Sequence, residues 1–304
     1  MQMDDRSVSL WCEETEEDYQ DQVPKRVTRT GVTGGLRAAW DPSVSGRRVI
    51  QRLLHVQERY APSPLYVSLI QQEPERRDEL AKWTLQVCCD CGCDEAVFPL
   101  SVSLIDRFLS VTLSTPISLY CLASACILIA SKLSECDNIS SDALCATAEC
   151  NFLPINLREM ERIVLATLRW DTAAVTPQDF LPHFLALLEE RREEDSTTLR
   201  RHSDTLAAMC TCDSRFLGAP PSLVAAASLN CALRGLGNRG RSRLYLLSLT
   251  LAEVCQSDLV VLQYYSEMIE RTLRQRLSGR PVDKGDEMED ERSCTPTDMR
   301  EIDF

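Results

Sequence analysis

The feature that most constrains this chain is the segment 119–130, which contains no charged residue and is rich in alanine, cysteine and serine. A helix on a protein surface carries polar residues along one face, whereas a helix that is apolar on every face has to be surrounded by other helices. Small side chains also let neighbouring helices approach closely. The segment therefore predicts a central helix in a helical bundle.

Helical periodicity runs along the chain from Arg47 onward, and strand-type alternation between hairpin turns is absent from the sequence. The third predicted helix begins at Pro116, with Thr115 as a typical N-cap and the proline at the first helical position. The sequence thus predicts an all-α fold that opens with a five-helix bundle. Its helices are expected at about 73–89, 97–108, 116–133, 142–148 and 154–168.

The second half of the chain repeats this pattern in a weaker form. Thr176-Pro177 is another helix start, and Ala219-Pro220-Pro221 precedes a second small-residue segment at 223–229. Pro220 lies 104 residues after Pro116, which is about the length of one small helical domain. Two similar bundles in tandem are therefore expected, over residues 47–171 and 172–277.

The two ends differ in composition from this helical part. Residues 1–46 mix charges with glycine and proline without a sustained period, and residues 278–304 are polar, with an acidic run at 286–291. Neither end has enough apolar residues to build a core. We expect a disordered arm before the bundles and a disordered tail after them.

Charge and cysteine usage exclude several classes of protein. The formal net charge of −13 opposes binding to nucleic acid and to anionic membranes. The start of the chain lacks the apolar stretch of a secretory signal, and no stretch is long enough to span a bilayer. Many of the fifteen cysteines lie in apolar helical segments, as reduced thiols do. The sequence therefore predicts a protein of the nucleus and cytoplasm.

No catalytic or metal site is recognisable in the sequence. The cysteine cluster at 88–93 lacks a second cysteine or histidine pair at zinc-ligand spacing, and the three histidines are scattered. Phosphate-binding glycine loops, nucleophile elbows and the His-Glu-x-x-His pattern are missing as well. We expect neither an enzyme nor a bound metal or other cofactor.

Two charged residues stand out as candidates for binding. Lys132 is the first charge after the central segment, where a cation also complements the helix dipole. Glu161 falls in the apolar stripe of its helix, between Leu157 and Val164. If the two helices pack side by side, Lys132 and Glu161 form one polar clamp framed by apolar surface, which is typical of a docking site.

Several motifs, in order along the chain, resemble the cyclin box of D-type cyclins: Phe98-Pro99-Leu100, Asp106 to Ser110, Ile129 to Leu133, Met160-Glu161 and Trp170 to Phe180. The resemblance covers about Arg47 to Leu277 and implies two tandem five-helix cyclin boxes. It also implies a regulatory subunit that activates cyclin-dependent kinases 4 and 6 and directs them to retinoblastoma-family proteins at the G1/S transition. Lys132, Leu133 and Glu161 are the residues that it assigns to kinase binding.

Both ends carry further motifs that resemble those of this family. Leu10, Cys12 and Glu14 fit the pattern L-x-C-x-E, by which D-type cyclins dock on retinoblastoma-family pocket proteins. Thr295, followed by Pro296, matches the threonine that is phosphorylated before ubiquitination and nuclear export. The resemblance therefore implies pocket proteins, a ubiquitin ligase and kinase inhibitors of the Cip/Kip type as partners, with no nucleic acid or membrane among them.

One motif departs from the family pattern. Cyclins commonly carry a hydrophobic docking patch on the first helix of the box, where this chain has Arg76 and Glu79 in place of apolar residues. This departure argues against recruitment of Arg-x-Leu substrates and inhibitors through the patch. Two alternatives stay open: a transcription-type cyclin-fold protein, and a cyclin-fold protein that binds a kinase without activating it.

Overall fold

The structure of the chain is a computed structural model that describes residues 46–112, 118–134, 138–148, 152–187, 193–236 and 241–278. Every regular element within these ranges is a helix, which confirms the all-α prediction. Two helical bundles follow one another along the chain, and each is arranged around one buried helix.

Seven α-helices form the first half of the described chain. Helix α5 is the predicted central helix, and it packs against α3, α4, α6 and α7. Its residues from Cys121 to Ser131 are all buried, because an uncharged helix with small side chains can be covered on every face. In chain order the seven are α1 (Arg47–Gln57), α2 (Pro64–Gln72), α3 (Pro74–Asp90), α4 (Val97–Thr112), α5 (Leu119–Ser134), α6 (Ser141–Thr147) and α7 (Pro154–Thr167).

Five further α-helices form the second half: α8 (Pro177–Ala186), α9 (Glu193–Thr211), α10 (Pro221–Gly235), α11 (Arg241–Val254) and α12 (Leu259–Ser278). Helix α10 has the central place that α5 has in the first bundle, in contact with α8, α9, α11 and α12. Its residues from Ser222 to Leu233 are all buried. The predicted start of α8 is present, since Asp179 accepts hydrogen bonds from the backbone N–H and the hydroxyl of Thr176.

Helix α1 departs from the expected organisation. Residues 47–171 are predicted to form the first bundle, but α1 packs against α8 and places Ile50 and Leu54 in the core of the second bundle. The Gln57 side chain also accepts a hydrogen bond of 3.1 Å from the backbone N–H of Ser222 at the start of α10. The periodicity of α1 predicts one apolar face, but it does not say which core buries that face.

A buried ion pair joins the two bundles. Arg77 in α3 is 7% exposed and lies 2.9 Å from a carboxylate oxygen of Asp106 in α4. Tyr66 donates its hydroxyl hydrogen to the same carboxylate at 2.9 Å. Arg77 also donates to the backbone carbonyl of Thr211, at the end of α9, at 2.8 Å. The pair therefore holds α3 and α4 against the second bundle, beside a cavity of about 380 Å³ that both bundles line.

No single helix in the described ranges is both long and apolar enough to cross a bilayer. Helices α11 and α12 reach that length and composition only when they are taken together, and the chain bends by 111° at the break between them.

Candidate functional site

The two charged residues singled out in the sequence meet in the structure. The ammonium group of Lys132, in the last turn of α5, donates to Oε1 of Glu161 in α7 at 2.5 Å. The Lys132 side chain is 44% exposed and the Glu161 side chain is 13% exposed. The clamp, Lys132 with Glu161, is therefore formed before any partner binds and stays open to solvent on its lysine side.

The position of Glu161 follows from the apolar stripe of α7. Leu157 and Val164 are fully buried, and Met160 is nearly so. These side chains hold α7 against the central helix, and Glu161 lies one turn from the first two, at the boundary between core and solvent. The carboxylate can therefore reach Lys132 without losing all of its hydration.

The position of Lys132 follows from the point where α5 leaves the core. Burial continues to Ser131, and the next three residues are exposed. A cation at the end of a helix is favourable because it complements the helix dipole. Leu133, directly after Lys132, is 57% exposed. The clamp thus has an exposed apolar side chain beside it, as the docking hypothesis requires.

Trp170 is a further exposed residue, just after the end of α7, and sequence reasoning names it only as part of a longer motif. It follows α7, the helix that carries Glu161, and it is 75% exposed. Arg169 and Trp170 both have positive φ angles, 54° and 61°. The backbone N–H of Trp170 donates to the carbonyl of Leu165 at 2.8 Å, which closes the end of α7.

One sequence signal for this turn exists, but it is indirect. A helix that ends with a positive-φ residue usually has glycine there, because glycine adopts this conformation without steric cost. Arg169 and Trp170 occupy these positions instead. The sequence shows that no glycine is present at the end of α7, where one would be expected. It does not show that the indole of Trp170 points outward, which only the structure reveals.

The outer face of α3 carries the residues that depart from the family pattern. Arg76 and Glu79 are both exposed, whereas Leu80 is buried. Trp83 is partly buried and contacts Tyr120 edge to face, with the ring centroids 4.9 Å apart. This face is therefore charged at two positions where cyclins commonly carry apolar residues.

The cysteine cluster lies at the end of α3, where it closes the helix. The backbone N–H groups of Gly92 and Cys93 donate to the carbonyls of Cys89 and Cys88, each at 2.9 Å, and Gly92 has a φ of 66°. The thiols of this cluster form no disulfide. Within the described ranges, no group of three or more histidine, cysteine, aspartate or glutamate residues is placed to hold a metal ion.

The terminal motifs lie outside the described residues. Leu10, Cys12 and Glu14 precede the first described residue, and Thr295 follows the last one. Their assignments therefore stay predictions.

Two family matches cover nearly all of the described helices. Residues 48–173 match the family described as cyclin, N-terminal domain, and residues 175–281 match cyclin, C-terminal domain. Among solved structures, a viral cyclin from herpesvirus saimiri has a TM-score of 0.60 at 24% identity, over 66% of this chain and 85% of the viral one. A chain of the CAK complex from Chaetomium thermophilum bound to ATP-γ-S has a TM-score of 0.51 at 13% identity, over 77% and 74% of the two chains. At these identities the two structures show a shared fold.

Relatives with higher identity cover most of the chain. It is 37% identical over 278 residues to G1/S-specific cyclin-D1 of Danio rerio, over 88% of this chain and 94% of the relative. It is 34% identical over 282 residues to G1/S-specific cyclin-D1 of Homo sapiens, over 88% and 95%. It is 35% identical over 278 residues to G1/S-specific cyclin-D2 of Mus musculus, over 88% and 96%. The chain therefore belongs to the cyclin family, and its relatedness to G1/S-specific cyclins of the D type extends over most of its length.

Proposed function

We propose that this chain is the activating, regulatory subunit of cyclin-dependent kinase 4 or 6, and that it directs the kinase to retinoblastoma-family proteins at the G1/S transition. The observation that carries the proposal is the clamp, an ion pair of 2.5 Å between α5 and α7 with Leu133 exposed beside it. The relatedness to D-type cyclins supports a cyclin-dependent kinase as the partner. The chain contributes binding, and the catalytic residues are those of the kinase.

The chemistry of the clamp suits a helix of a partner protein. An ammonium group has three donors, so Lys132 can keep its bond to Glu161 and still donate to a carboxylate or to carbonyl groups at a helix end. Leu133, which is 57% exposed, offers apolar surface beside the clamp, and Trp170, which is 75% exposed, offers it beyond the end of α7. Such an interface combines a polar contact that sets the position with apolar contacts that supply affinity.

Binding of this kind can activate a kinase without any chemistry on the cyclin. Phosphoryl transfer requires a lysine of the kinase to be paired with a glutamate of its C-helix, and requires an ordered activation loop. A rigid bundle that binds the C-helix only in the paired arrangement shifts the kinase population towards that arrangement. The preformed clamp keeps the cost of ordering the cyclin side low.

The sequence motifs at the two ends extend this proposal. Leu10, Cys12 and Glu14 would bind a retinoblastoma-family pocket protein as an extended segment, with the apolar side chains in pockets. Phosphorylated Thr295 would be the signal for a ubiquitin ligase and for export from the nucleus to the cytoplasm. Kinase inhibitors of the Cip/Kip type would bind the assembled complex.

The decisive experiment is co-expression of the chain with kinase 4 or with kinase 6, followed by purification of the complex and a phosphorylation assay on a retinoblastoma C-terminal fragment. We expect a stable complex and substrate phosphorylation, with human G1/S-specific cyclin-D1 as the positive control. Lys132→Glu is the matched variant that should lose both.

Two other outcomes would replace the proposal. A stable complex without activity would identify a non-activating cyclin, and the charged face of Arg76 and Glu79 on α3 is the observation that favours this alternative. No complex with either kinase, together with a DNA mobility shift at low salt, would identify a transcription-type cyclin-fold protein.

A further inference from the structure

The segment after α7 is hydrogen-bonded to the first bundle through the guanidinium group of Arg107. Arg107 in α4 donates from Nη1 to the backbone carbonyl of Ala173 at 2.6 Å, and from Nη2 to that of Asp171 at 2.8 Å. A planar guanidinium makes two such bonds in a fixed geometry, which an ammonium group does not. The backbone that follows Trp170 is therefore held on both sides of Thr172.

Tyr60 and the Asp171 side chain complete this arrangement. The Arg107 guanidinium carbon lies 4.9 Å from the centroid of the Tyr60 ring, within the range of a cation–π contact. The Asp171 carboxylate accepts hydrogen bonds from Arg59 at 2.7 Å and from the Tyr60 hydroxyl at 3.3 Å. We call Arg107, Tyr60 and Asp171 the Arg107 bracket. The Arg59 side chain is 70% exposed, so its ion pair adds little to the bracket.

The bracket lies next to two residues in an unfavourable backbone conformation. Arg169 and Trp170 have positive φ angles, which are sterically unfavourable for residues other than glycine. A conformation of this kind persists only where the surrounding structure enforces it. Inside the turn, the backbone N–H groups of Trp170 and Asp171 donate to the carbonyls of Leu165 and Leu168. The Arg107 bracket adds to these bonds from outside the turn, because it fixes the backbone directly after Trp170.

The residue that this turn displays lies outside both hydrophobic cores. Trp170 is 75% exposed. This exposure is unusual, because tryptophan is among the side chains that can bury the largest apolar area. A rigid, exposed tryptophan is typical of a residue that contributes strongly to a protein–protein interface, because little entropy is lost when it is buried.

We propose that Arg107 is a positioning residue for kinase binding, because its bracket holds Trp170 outward as an apolar anchor beyond the end of the helix that carries Glu161. This inference rests on the proposed function, since the kinase is the partner to which the anchor is presented. Arg107 acts through Trp170, so its effect on affinity depends on the indole being there.

A double-mutant cycle tests this dependence. Arg107→Lys keeps the charge and removes the planar pair of donors, and Trp170→Ala removes the anchor. We expect each single variant to bind purified kinase 4 or 6 about tenfold more weakly than the unmodified chain, as removal of an interface anchor commonly does. The double variant should bind no more weakly than Trp170→Ala alone. Arg59→Lys is the control, with affinity within about twofold because its ion pair is exposed.

Fluorine NMR separates positioning from a general loss of structure. The chain has four tryptophans, so 5-fluorotryptophan labelling gives one resonance for each, and Trp170→Phe identifies that of Trp170. In Arg107→Lys we expect this resonance to shift or broaden while that of Trp83, in the first bundle, is unchanged.

The outcomes distinguish the inference from the function on which it rests. Additive losses of affinity in the double variant, or an unchanged Trp170 resonance in Arg107→Lys, would overturn the role of Arg107 while kinase binding by the unmodified chain stands. Absence of kinase binding by the unmodified chain would reject the proposed function, and with it the role of Arg107.

Discussion

Lys132 and Glu161 form an ion pair at 2.5 Å in which the lysine side chain is 44% exposed. Exposed pairs contribute between zero and about 1 kcal/mol to folding stability, because water and salt screen them. A charge that is buried and paired at an interface matters more, and its removal typically costs about 2–5 kcal/mol of binding free energy. We therefore expect the clamp to matter for recognition more than for folding.

Reversal of charge at Lys132 tests this difference. In Lys132→Glu two carboxylates face each other at the clamp, and the donor offered to the partner is lost. We expect kinase co-purification to fall at least tenfold, while the melting temperature changes by no more than a few degrees, as for a loss of up to about 1 kcal/mol.

A second ion pair supplies the control for that variant. Arg274 and Glu270 in α12 lie 3.3 Å apart with side-chain exposures of 65% and 14%, so the glutamate is buried to the same extent as Glu161 in the clamp. Arg274→Glu should leave kinase co-purification unchanged. Unfolding of Lys132→Glu, or equal loss of binding in both variants, would show that the clamp has a structural role only.

Thr295 is the residue expected to control the lifetime of the protein. Phosphorylation adds about −1.5 to −2 charge units and creates a group that arginine-rich recognition sites bind. We expect Thr295→Ala to lengthen the half-life in cycling cells, measured by a cycloheximide chase. Thr297→Ala is the matched control, because Asp298 and not a proline follows Thr297. An unchanged half-life of Thr295→Ala would remove the assignment.

At the scale of single elements, α5 and α10 determine the form of the two bundles. Both are buried along almost their whole length and both are rich in small residues. Ala123, Ala125 and Ala130 in α5 are fully buried, so neighbouring helices contact this helix at positions where no larger side chain fits. The close packing of the other helices depends on these small side chains.

Enlarging one of these side chains is expected to destabilise the first bundle. Ala125→Leu adds three carbons to a fully occupied space, which should lower the free energy of unfolding by about 1–3 kcal/mol. Urea unfolding followed by circular dichroism measures the change in midpoint. Ala166→Leu, on the exposed face of α7, should shift the midpoint little. Equal shifts in the two variants would contradict the central position of α5.

Asp213, between α9 and α10, is a carboxylate whose shifted pKa should make the stability of the fold depend on pH. Burial alone would raise the pKa of Asp213, but hydrogen bonds from the side chain and backbone N–H of Arg215 outweigh burial, so its pKa is below the usual value. A carboxylate with a depressed folded-state pKa stabilises the fold above its unfolded-state pKa, about 4, and this contribution is lost as the pH falls through the lower, folded-state value.

Neutralising Asp213 should therefore reduce the acid sensitivity of the fold. We expect the free energy of unfolding of Asp213→Asn, measured in urea between about pH 5 and pH 3, to fall less with acid than that of the unmodified chain. Arg215→Gln should reduce the acid sensitivity too, because it removes the hydrogen bonds that depress the pKa. Parallel pH profiles for the three proteins would contradict this account.

At the scale of the whole molecule, the two bundles are joined by contacts that are distant in sequence. Arg77 links Asp106 in α4 with the Thr211 carbonyl at the end of α9, and α1, the first of the described helices, packs in the second core. Ala208 and Cys212, near the end of α9, contact the core of the first bundle in turn. The described helices from Arg47 onward are therefore expected to unfold cooperatively.

Arg77→Met tests this coupling. The substitution leaves the Asp106 carboxylate buried without its cation, which should lower the free energy of unfolding by about 3–5 kcal/mol. Arg77→Met combined with Asp106→Leu should recover part of the loss, since an apolar pair leaves no unpaired charge. The control Arg76→Met changes the exposed neighbour and should cost less than about 0.5 kcal/mol. A loss confined to one bundle would contradict cooperative unfolding.

Local sequence patterns predict several parts of this protein correctly. The uncharged segment 119–130 predicts the central helix α5, and the small-residue segment 223–229 predicts α10, because burial of a helix on all faces requires apolar residues on all faces. The start of α8 at Thr176-Pro177 follows from local hydrogen bonding in the same way. The apolar residues Leu157 and Val164, on either side of Glu161 in sequence, likewise predict that this carboxylate lies at the edge of a buried helix face.

Tertiary structure alone decided which faces meet. The contact between Lys132 and Glu161, the burial of α1 in the second core and the link from Arg77 to Thr211 join residues that are 29 or more positions apart. Helical periodicity gives the direction of a side chain from its own helix axis, but not the neighbour that it meets. The backbone directly after Trp170 likewise receives hydrogen bonds from Arg107 in α4, more than 60 positions earlier in the sequence. Such contacts are set by packing across the chain, and no local pattern contains them.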